Sequence, residues 1–235
     1  MGKRIIPRAR GKGGPRYVTP SHRFIGRVEY LPQQSASGTV IDLVKDSAHS
    51  APVAIVKFED GKELIHIAPE GIQVGDAVVY GGTPTSGNVV FLENIPEGTK
   101  IFSIENYPNS GPRMCRSSGS FALVIGKVGD KVKIQFPSGK IKKLNSRCRA
   151  TIGVPAGGGR VDKPWVKGGR HGYAMWAKGK IFPRSKGVAM TATDHPYGSG
   201  HTKRPRPSRS VSRNAPPGAK VGSISPRRMG KRKGR

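Results

Sequence analysis

"VAIVKFEDGKELIHIAP", residues 53–69, sets two apolar-rich runs on either side of Asp60-Gly61. Asp-Gly between such runs is a strong signal for a tight type I′ β-hairpin, because both central residues of that turn take positive φ. The same grammar continues downstream. "GIQVGDAVVYG" (71–81) leads through a Gly-Asp turn into a short strand, and "TKIFSIENYP" (99–108) gives another strand, ended by Pro108. "SFALVIGKVGDKVKIQFPSGKIKKL" (120–144) then reads as three runs joined at Gly129-Asp130 and Ser138-Gly139, each alternating apolar residues with lysine. That pattern is a meander of antiparallel strands. None of these blocks offers a capped amphipathic helix of any length, so the predicted fold class is mainly β: two small barrels with a boundary near residues 82–90, in preference to an α/β sheet.

The 235 residues are 34% apolar and 6% aromatic, below the usual globular composition, so part of the chain is expected to lack a core. Its 42 Lys and Arg against 14 Asp and Glu leave a formal charge of +28, which makes a polyanion the default partner. The charge is unevenly distributed. Residues 1–36 carry net +7, residues 37–84 net −4, residues 85–148 net +6 and residues 149–235 net +19. A slightly acidic block between basic ones fits a folded core with basic extensions. No membrane partner is expected, since neither an amphipathic helix nor an apolar anchor is present and a run such as "FALVI" (121–125) is short. The opening "MGKRIIPRARGKGG" has no apolar targeting core, and Ile6 stands where a myristoylation signal needs Ser or Thr.

From Arg149 onward there are 15 Gly and 9 Pro in 87 residues, too many for regular structure to persist without a partner. Yet Trp165, Tyr173, Trp176, Phe182 and Tyr197 are interleaved with Lys and Arg. Guanidinium forks grip phosphates, aromatic faces stack on unpaired bases and glycine lets the backbone approach a groove; together these favour RNA over duplex DNA. The bland alternative is a basic tail that coats any nucleic acid. Candidate RNA contacts are Arg4, Arg8, Arg10, Lys12 and Arg16 at the start, and Arg113, Arg116, Lys142, Lys143, Arg147 and Arg149 around the second barrel. In the tail they are Arg160, Lys163, Trp165, Lys167, Arg170, Trp176, Arg184, Lys186, His195, Tyr197, Lys203, Arg204, Arg206 and Arg209. For the hairpin lysines at 127, 131, 133, 140, 142 and 143 two readings stay open: phosphate contact, or a solvated face that protects barrel edges.

Cys115 and Cys148 have no further Cys or His at metal-ligand spacing, so neither a zinc site nor a disulfide framework is indicated. "GKGGPR" (11–16) and "PAGGGR" (155–160) lack the spacing of a nucleotide-binding phosphate loop. "GVAMTATDHPYGSG" (187–200) is more demanding, because it isolates Asp194 and His195 in the most cationic region. Imidazole suits proton transfer near neutral pH, but Pro196 biases His195 toward an extended backbone in which Asp194 points to the other side, and no nucleophile is marked nearby. His201, six residues on, does not complete a metal site. A stiffened turn that holds an imidazole and a phenol against RNA is the preferred reading, with plain turn structure and proton transfer behind it. Asp194 has two roles open: capping the turn, or helping to hold hydrated Mg2+ among RNA phosphates, the one cofactor left open.

"LENIPEGTKIFSIE" (92–105), "RSSGS" (116–120), "SGKIKKLNSRCRATIG" (138–153) and above all "RSKGVAMTATDHPYGSG" (184–200) closely resemble the universal second protein family of the large ribosomal subunit; "MGKRIIPRARGKGGP" (1–15) is similar to its archaeal branch. The resemblance implies an OB-like barrel at 37–84 and an SH3-like barrel at 85–160, flanked by a basic extension at 1–36 and an RNA-threading extension at 161–235. It further implies a non-enzymatic, cytoplasmic ribosomal protein that binds large-subunit rRNA, with other ribosomal proteins and small-subunit RNA at the subunit interface as further partners. The implied roles are in assembly, subunit association and tRNA binding, with Asp194 and His195 near the peptidyl transferase centre. Many bacterial members carry a second His and three consecutive glycines in this motif. Here Tyr197 and "GSG" (198–200) stand instead, so a mechanism that needs both histidines lacks one.

Overall fold

The structure, a computed structural model, describes residues 3–33, 35–200 and 208–228. Within the unit Ser21–Trp165, strands β1 (Ala36–Val44), β2 (Val53–Phe58), β3 (Glu63–Ile67) and β4 (Ala77–Tyr80) form the first half of a sheet. The second half is β5 (Val89–Phe91), β6 (Lys100–Phe102), β7 (Ala122–Val128), β8 (Lys131–Gln135), β9 (Ile141–Asn145) and β10 (Arg149–Ile152). Hydrogen bonding runs unbroken in the order β3-β2-β1-β4-β5-β10-β6-β7-β8-β9. The pairs are antiparallel except β4 with β5, which meet in parallel at Tyr80↔Val89 where the halves join.

The 53–69 hairpin forms as expected, in the register Val53↔Ile67 to Lys57↔Glu63, but its turn is a different one. Of Asp60 and Gly61 only Gly61 has positive φ (77°); Gly61 N–H donates to the Phe58 carbonyl and Phe58 N–H to the Lys62 carbonyl. This is a three-residue loop in which glycine takes the left-handed position after a type I turn, so one residue of positive φ suffices. The β8–β9 hairpin repeats it with Gly139 (φ 75°), Phe136 and Lys140. Alternation explains the strands themselves: in β8 Val132 and Ile134 are buried while Lys131 is exposed. Bulges at Val40/Asp42 and Val124/Gly126 let β1 and β7 bend around their cores. One core gathers Leu92, Ile101, Val124 and Ile134, a second gathers Leu31, Val40, Val56 and Val78, and a smaller third gathers Val28, Val53, Ile67 and Phe102.

Two departures concern Arg149. Composition places the start of the unstructured tail there, whereas the resemblance keeps residues 149–160 in the second barrel; β10 is a central strand with all four residues buried. Nor is Arg149 an open surface cation: it is 4% exposed and both Nη atoms are engaged within the fold, while Nε has no hydrogen-bond partner among the described residues. Its Nη2 lies 3.0 Å from Glu105 Oε1, its Nη1 donates to the Leu31 carbonyl, its backbone N–H donates to Glu105 Oε2 at 2.9 Å, and the guanidinium lies over the Tyr30 ring. Tyr30, from the first half, donates its hydroxyl to the Ser103 carbonyl of the second at 2.7 Å and sits 2.6 Å from Thr151 Oγ1. Tyr80 completes the cluster, its hydroxyl 2.9 Å from His66 Nε2. Burial pushes the Tyr30 phenol up and the His66 imidazole down to about 4, so both stay neutral. The predicted strand at 99–108 is also shorter than expected; it stops at Phe102 because Ser103 takes φ 49°.

The other unit is built from Met1–Pro20 and Val166–Arg235. It contains α1 (Ile6–Gly11), α2 (Gly168–Trp176) and a two-residue parallel pair, β11 (Ser210–Val211) with β12 (Ser223–Ile224). Helix α2 was not legible: three of its nine residues are glycine and no side chain caps its start. Packing supports it instead. The His171 ring lies 4.2 Å from Phe182, centroid to centroid, and Gly172 faces the same ring.

Glu105→Ala is expected to destabilise the barrel unit by about 3–5 kcal/mol, because it strands the Arg149 charge in the interior. Arg149→Met combined with Glu105→Leu is expected to cost less than the single change. Urea unfolding of the chain without RNA measures both.

Candidate nucleic-acid interface

On the barrel unit Arg27, Arg113 and Arg116 converge on a cavity of about 350 Å3 that is also lined by Arg149, Tyr30, Pro32 and the 109–113 loop. Arg27 comes from the segment before β1, Arg113 and Arg116 from the segment after β6. A tight turn brings the latter two in: Asn109 (φ 61°) and Gly111 (φ 70°) reverse the chain, and Arg113 N–H and Met114 N–H both donate to the Ile104 carbonyl. The Glu105–Arg149 pair lies directly beneath, since Gly111 N–H donates to Glu105 Oε1. Arg116 is half-buried, and its guanidinium is pushed down first by burial and then by the charges of Arg113 and Arg27. Glu29 pairs with Arg27 at 3.6 Å on the surface. Arginines cannot relieve their mutual repulsion by deprotonating, so this arrangement has the chemistry of an anion site. The sequence reading named Arg113 and Arg116 but missed Arg27, whose place beside them depends on the folded halves.

The remaining candidates on this unit divide by their surroundings. Lys143, Arg147, Lys163 and Trp165 are exposed. Lys142 Nζ bonds to Asn106 Oδ1 and Lys127 Nζ to the Glu93 carbonyl, so these two lysines also tie loops to the barrel. Arg160 Nε donates to Ser118 Oγ at 3.1 Å and remains exposed.

In the other unit Arg4, Arg8, Arg10, Lys12, Arg16, Lys167, Arg170, Trp176, Arg184, Lys186 and Arg209 are exposed. Lys203, Arg204, Arg206 and His201 lie outside the described residues. The 187–200 segment is a compact series of turns: Asp194 and His195 N–H both donate to the Thr191 carbonyl, Gly198 N–H to the His195 carbonyl, and Ser199 N–H to the Met190 carbonyl. Asp194 and His195 turn to different partners. The Asp194 carboxylate lies 3.1 Å from Lys3 Nζ, on a segment also held by the bond from Lys3 N–H to the Thr193 carbonyl. His195 Nδ1 accepts the Tyr197 backbone N–H at 3.1 Å, which assigns the proton of the neutral ring to Nε2. The Tyr197 ring lies 5.0 Å from the imidazole, and its hydroxyl donates to the Val221 carbonyl at 3.3 Å. Burial and then the Arg184 charge lower the affinity of His195 for a second proton.

Among the described residues no group of three or more His, Cys, Asp or Glu is placed to hold a metal ion. With Lys3 on Asp194, that carboxylate is a poor seat for a protein-held Mg2+, which prefers several oxygen ligands. Both cysteines are free thiols. No helix among the described residues is long and apolar enough to cross a membrane.

Comparison with known proteins places this geometry. The family profile described as "Ribosomal Proteins L2, RNA binding N-terminal domain" matches residues 8–80, and that described as "Ribosomal Proteins L2, C-terminal domain" matches residues 85–220. The chain belongs to the ribosomal protein L2 family. It is 47% identical over 241 residues to the large ribosomal subunit protein uL2 of Methanothermobacter thermautotrophicus, covering 99% of this chain and 100% of the relative. It is 49% identical over 238 residues to the protein of the same description from Archaeoglobus fulgidus, with the same coverage. The mainly β fold with its large sheet agrees with the OB-like and SH3-like barrels expected of the L2 family. The two L2 profiles part between residues 80 and 85, in the connection from β4 to β5, so the arginine cavity draws Arg27 from one domain and Arg113 and Arg116 from the other.

Arg113→Gln with Arg116→Gln is expected to weaken binding of large-subunit rRNA by about tenfold or more, since hydrogen bonds to charged groups are worth about 1.5–3 kcal/mol. The same variant is expected to unfold at the same temperature as the parent or higher, because it relieves like-charge repulsion. Filter binding and thermal unfolding read the two effects.

Proposed function

We propose that this chain is a structural, rRNA-binding constituent of the large ribosomal subunit. The barrels dock on folded RNA through the Arg27–Arg113–Arg116 cavity, and the arms thread between RNA helices. The supporting observation is the cation surplus: 14 carboxylates cannot neutralise 42 lysines and arginines, and besides the Glu105-paired Arg149 the arginine cavity gathers Arg27, Arg113 and Arg116, where the fold supplies the surface carboxylate of Glu29. The relatives, which are large ribosomal subunit proteins, supply the ribosomal context. Roles in assembly, subunit association and tRNA binding, and a place for Asp194 and His195 near the peptidyl transferase centre, belong to the same reading. So do small-subunit RNA at the subunit interface and neighbouring ribosomal proteins as partners. Any Mg2+ in this reading is held by RNA phosphates, with the protein contributing no cofactor of its own.

An enzyme that uses His195 as a base is the rival. Its geometry is unfavourable, because Nδ1 is occupied by the Tyr197 N–H and the neutral ring carries its proton on Nε2, which leaves no open lone pair. Asp194, paired with Lys3, does not orient the ring. The purified chain is expected to show no turnover of RNA or acyl substrates; turnover abolished by His195→Ala with binding kept would establish the rival. For the favoured function, neutralisation of about ten phosphates gives a slope of about −7 to −9 in log affinity against log salt. Titrations of rRNA at several salt concentrations measure it, and a nearly flat dependence would contradict the proposal.

A further inference from the structure

Within the arm unit a cavity of about 720 Å3 opens between the first residues of the chain, the 184–195 segment and the 220–224 turn. Its volume lies in the range of about 300–1,000 Å3 usual for sites that enclose a small molecule. Lys3, Arg4, Arg184 and Lys220 line it against the single carboxylate of Asp194, and Pro7 and Met190 add apolar surface. His195 lines it as well. The imidazole is fixed from behind: Nδ1 accepts the Tyr197 N–H, and Gly187 is packed so closely that an added Cβ would lie 2.4 Å from His195 Cε1 and Nδ1. With that edge held, Nε2–H has no partner among the described residues and is the ring's remaining donor.

We propose that this cavity receives one unpaired RNA nucleotide, its phosphate on the rim cations and an acceptor of its ribose or base on His195 Nε2–H. The assignment rests on the rRNA-binding reading above and adds the ligand unit and the orienting atom. Three features select a nucleotide. The cations suit a phosphate, the apolar surface suits the face of a base, and a neutral imidazole of fixed tautomer donates one directional hydrogen bond where another lysine would only add charge. The cost of ordering the glycine-rich segments is met when the nucleotide enters, as for other basic segments that fold on RNA.

The test uses the full chain bound to large-subunit rRNA, with 2′-hydroxyl acylation read at single-nucleotide resolution alongside affinity. A glutamine amide reaches the position of Nε2 and an asparagine amide that of Nδ1, so the two isosteres separate the donor from the packing edge. Wild type and His195→Gln are expected to protect one and the same nucleotide. His195→Asn, and Gly187→Ala with every charge intact, are expected to lose that protection and to bind about fivefold to tenfold more weakly with an unchanged salt slope. Identical footprints and affinities for all four proteins would overturn the proposal, as would loss of protection in His195→Gln equal to that in His195→Asn, or displacement of the nucleotide from the cavity by polyglutamate. A flat salt dependence of the wild type is the separate outcome that removes the rRNA-binding reading itself.

Discussion

Forty-two cations on one chain, offset by only fourteen carboxylates, leave a positive surplus that repels itself across the roughly 8 Å over which charges are felt at physiological ionic strength, so each part of this molecule needs either an apolar core or an outside anion to keep its shape. The two units answer that requirement differently. The barrel unit carries the acidic block and nearly all of the fully buried apolar side chains, and it keeps its lysines on strand faces that alternate with core residues. The arm unit has little core; Ile5 and Val221 are its buried apolar side chains among the described residues. Its described geometry is made of two short helices, a two-residue strand pair, turns, ring contacts and the Lys3–Asp194 ion pair.

The buried cluster of Tyr30, Arg149 and Glu105 links these themes. It fastens the two halves of the sheet with hydrogen bonds from both sides, and it puts a neutralised pair under the cavity where Arg27, Arg113 and Arg116 meet. A buried ion pair is a costly way to stabilise a fold. Here it also fixes the position of the 109–113 loop through Gly111, so a structural pair holds the proposed RNA-binding arginines in place.

Much of the barrel architecture was legible from hydrophobic alternation and glycine turns, because both are local signals. The hairpins at Gly61 and Gly139 appear where the dipeptides place them; only the turn geometry differs, since one glycine with positive φ serves where two such residues were expected. β10 was missed for a physical reason: "RATI" has no alternation because it is buried on both faces, and its arginine is compensated by Glu105, 44 residues away in sequence. Helix α2 was missed because propensity argues against it and a contact with Phe182 argues for it. Among candidate contacts, residue type and charge named Arg113, Arg116 and the His195 turn, which the fold places at cavities. Arg27, Lys3 and Lys220 emerged only once folding had placed them, and Arg149 shows that an arginine in a basic sequence can belong to the core.

The central claim is that the arms take their order from RNA while the barrels hold theirs alone. Hydrogen exchange of the intact chain, with and without large-subunit rRNA, measures this directly. Amides in β1–β10 are expected to be protected in both states, and those in residues 3–20, 166–200 and 208–228 to become protected only with RNA. Equal protection of both units in plain buffer, unchanged when RNA is added, would contradict the account.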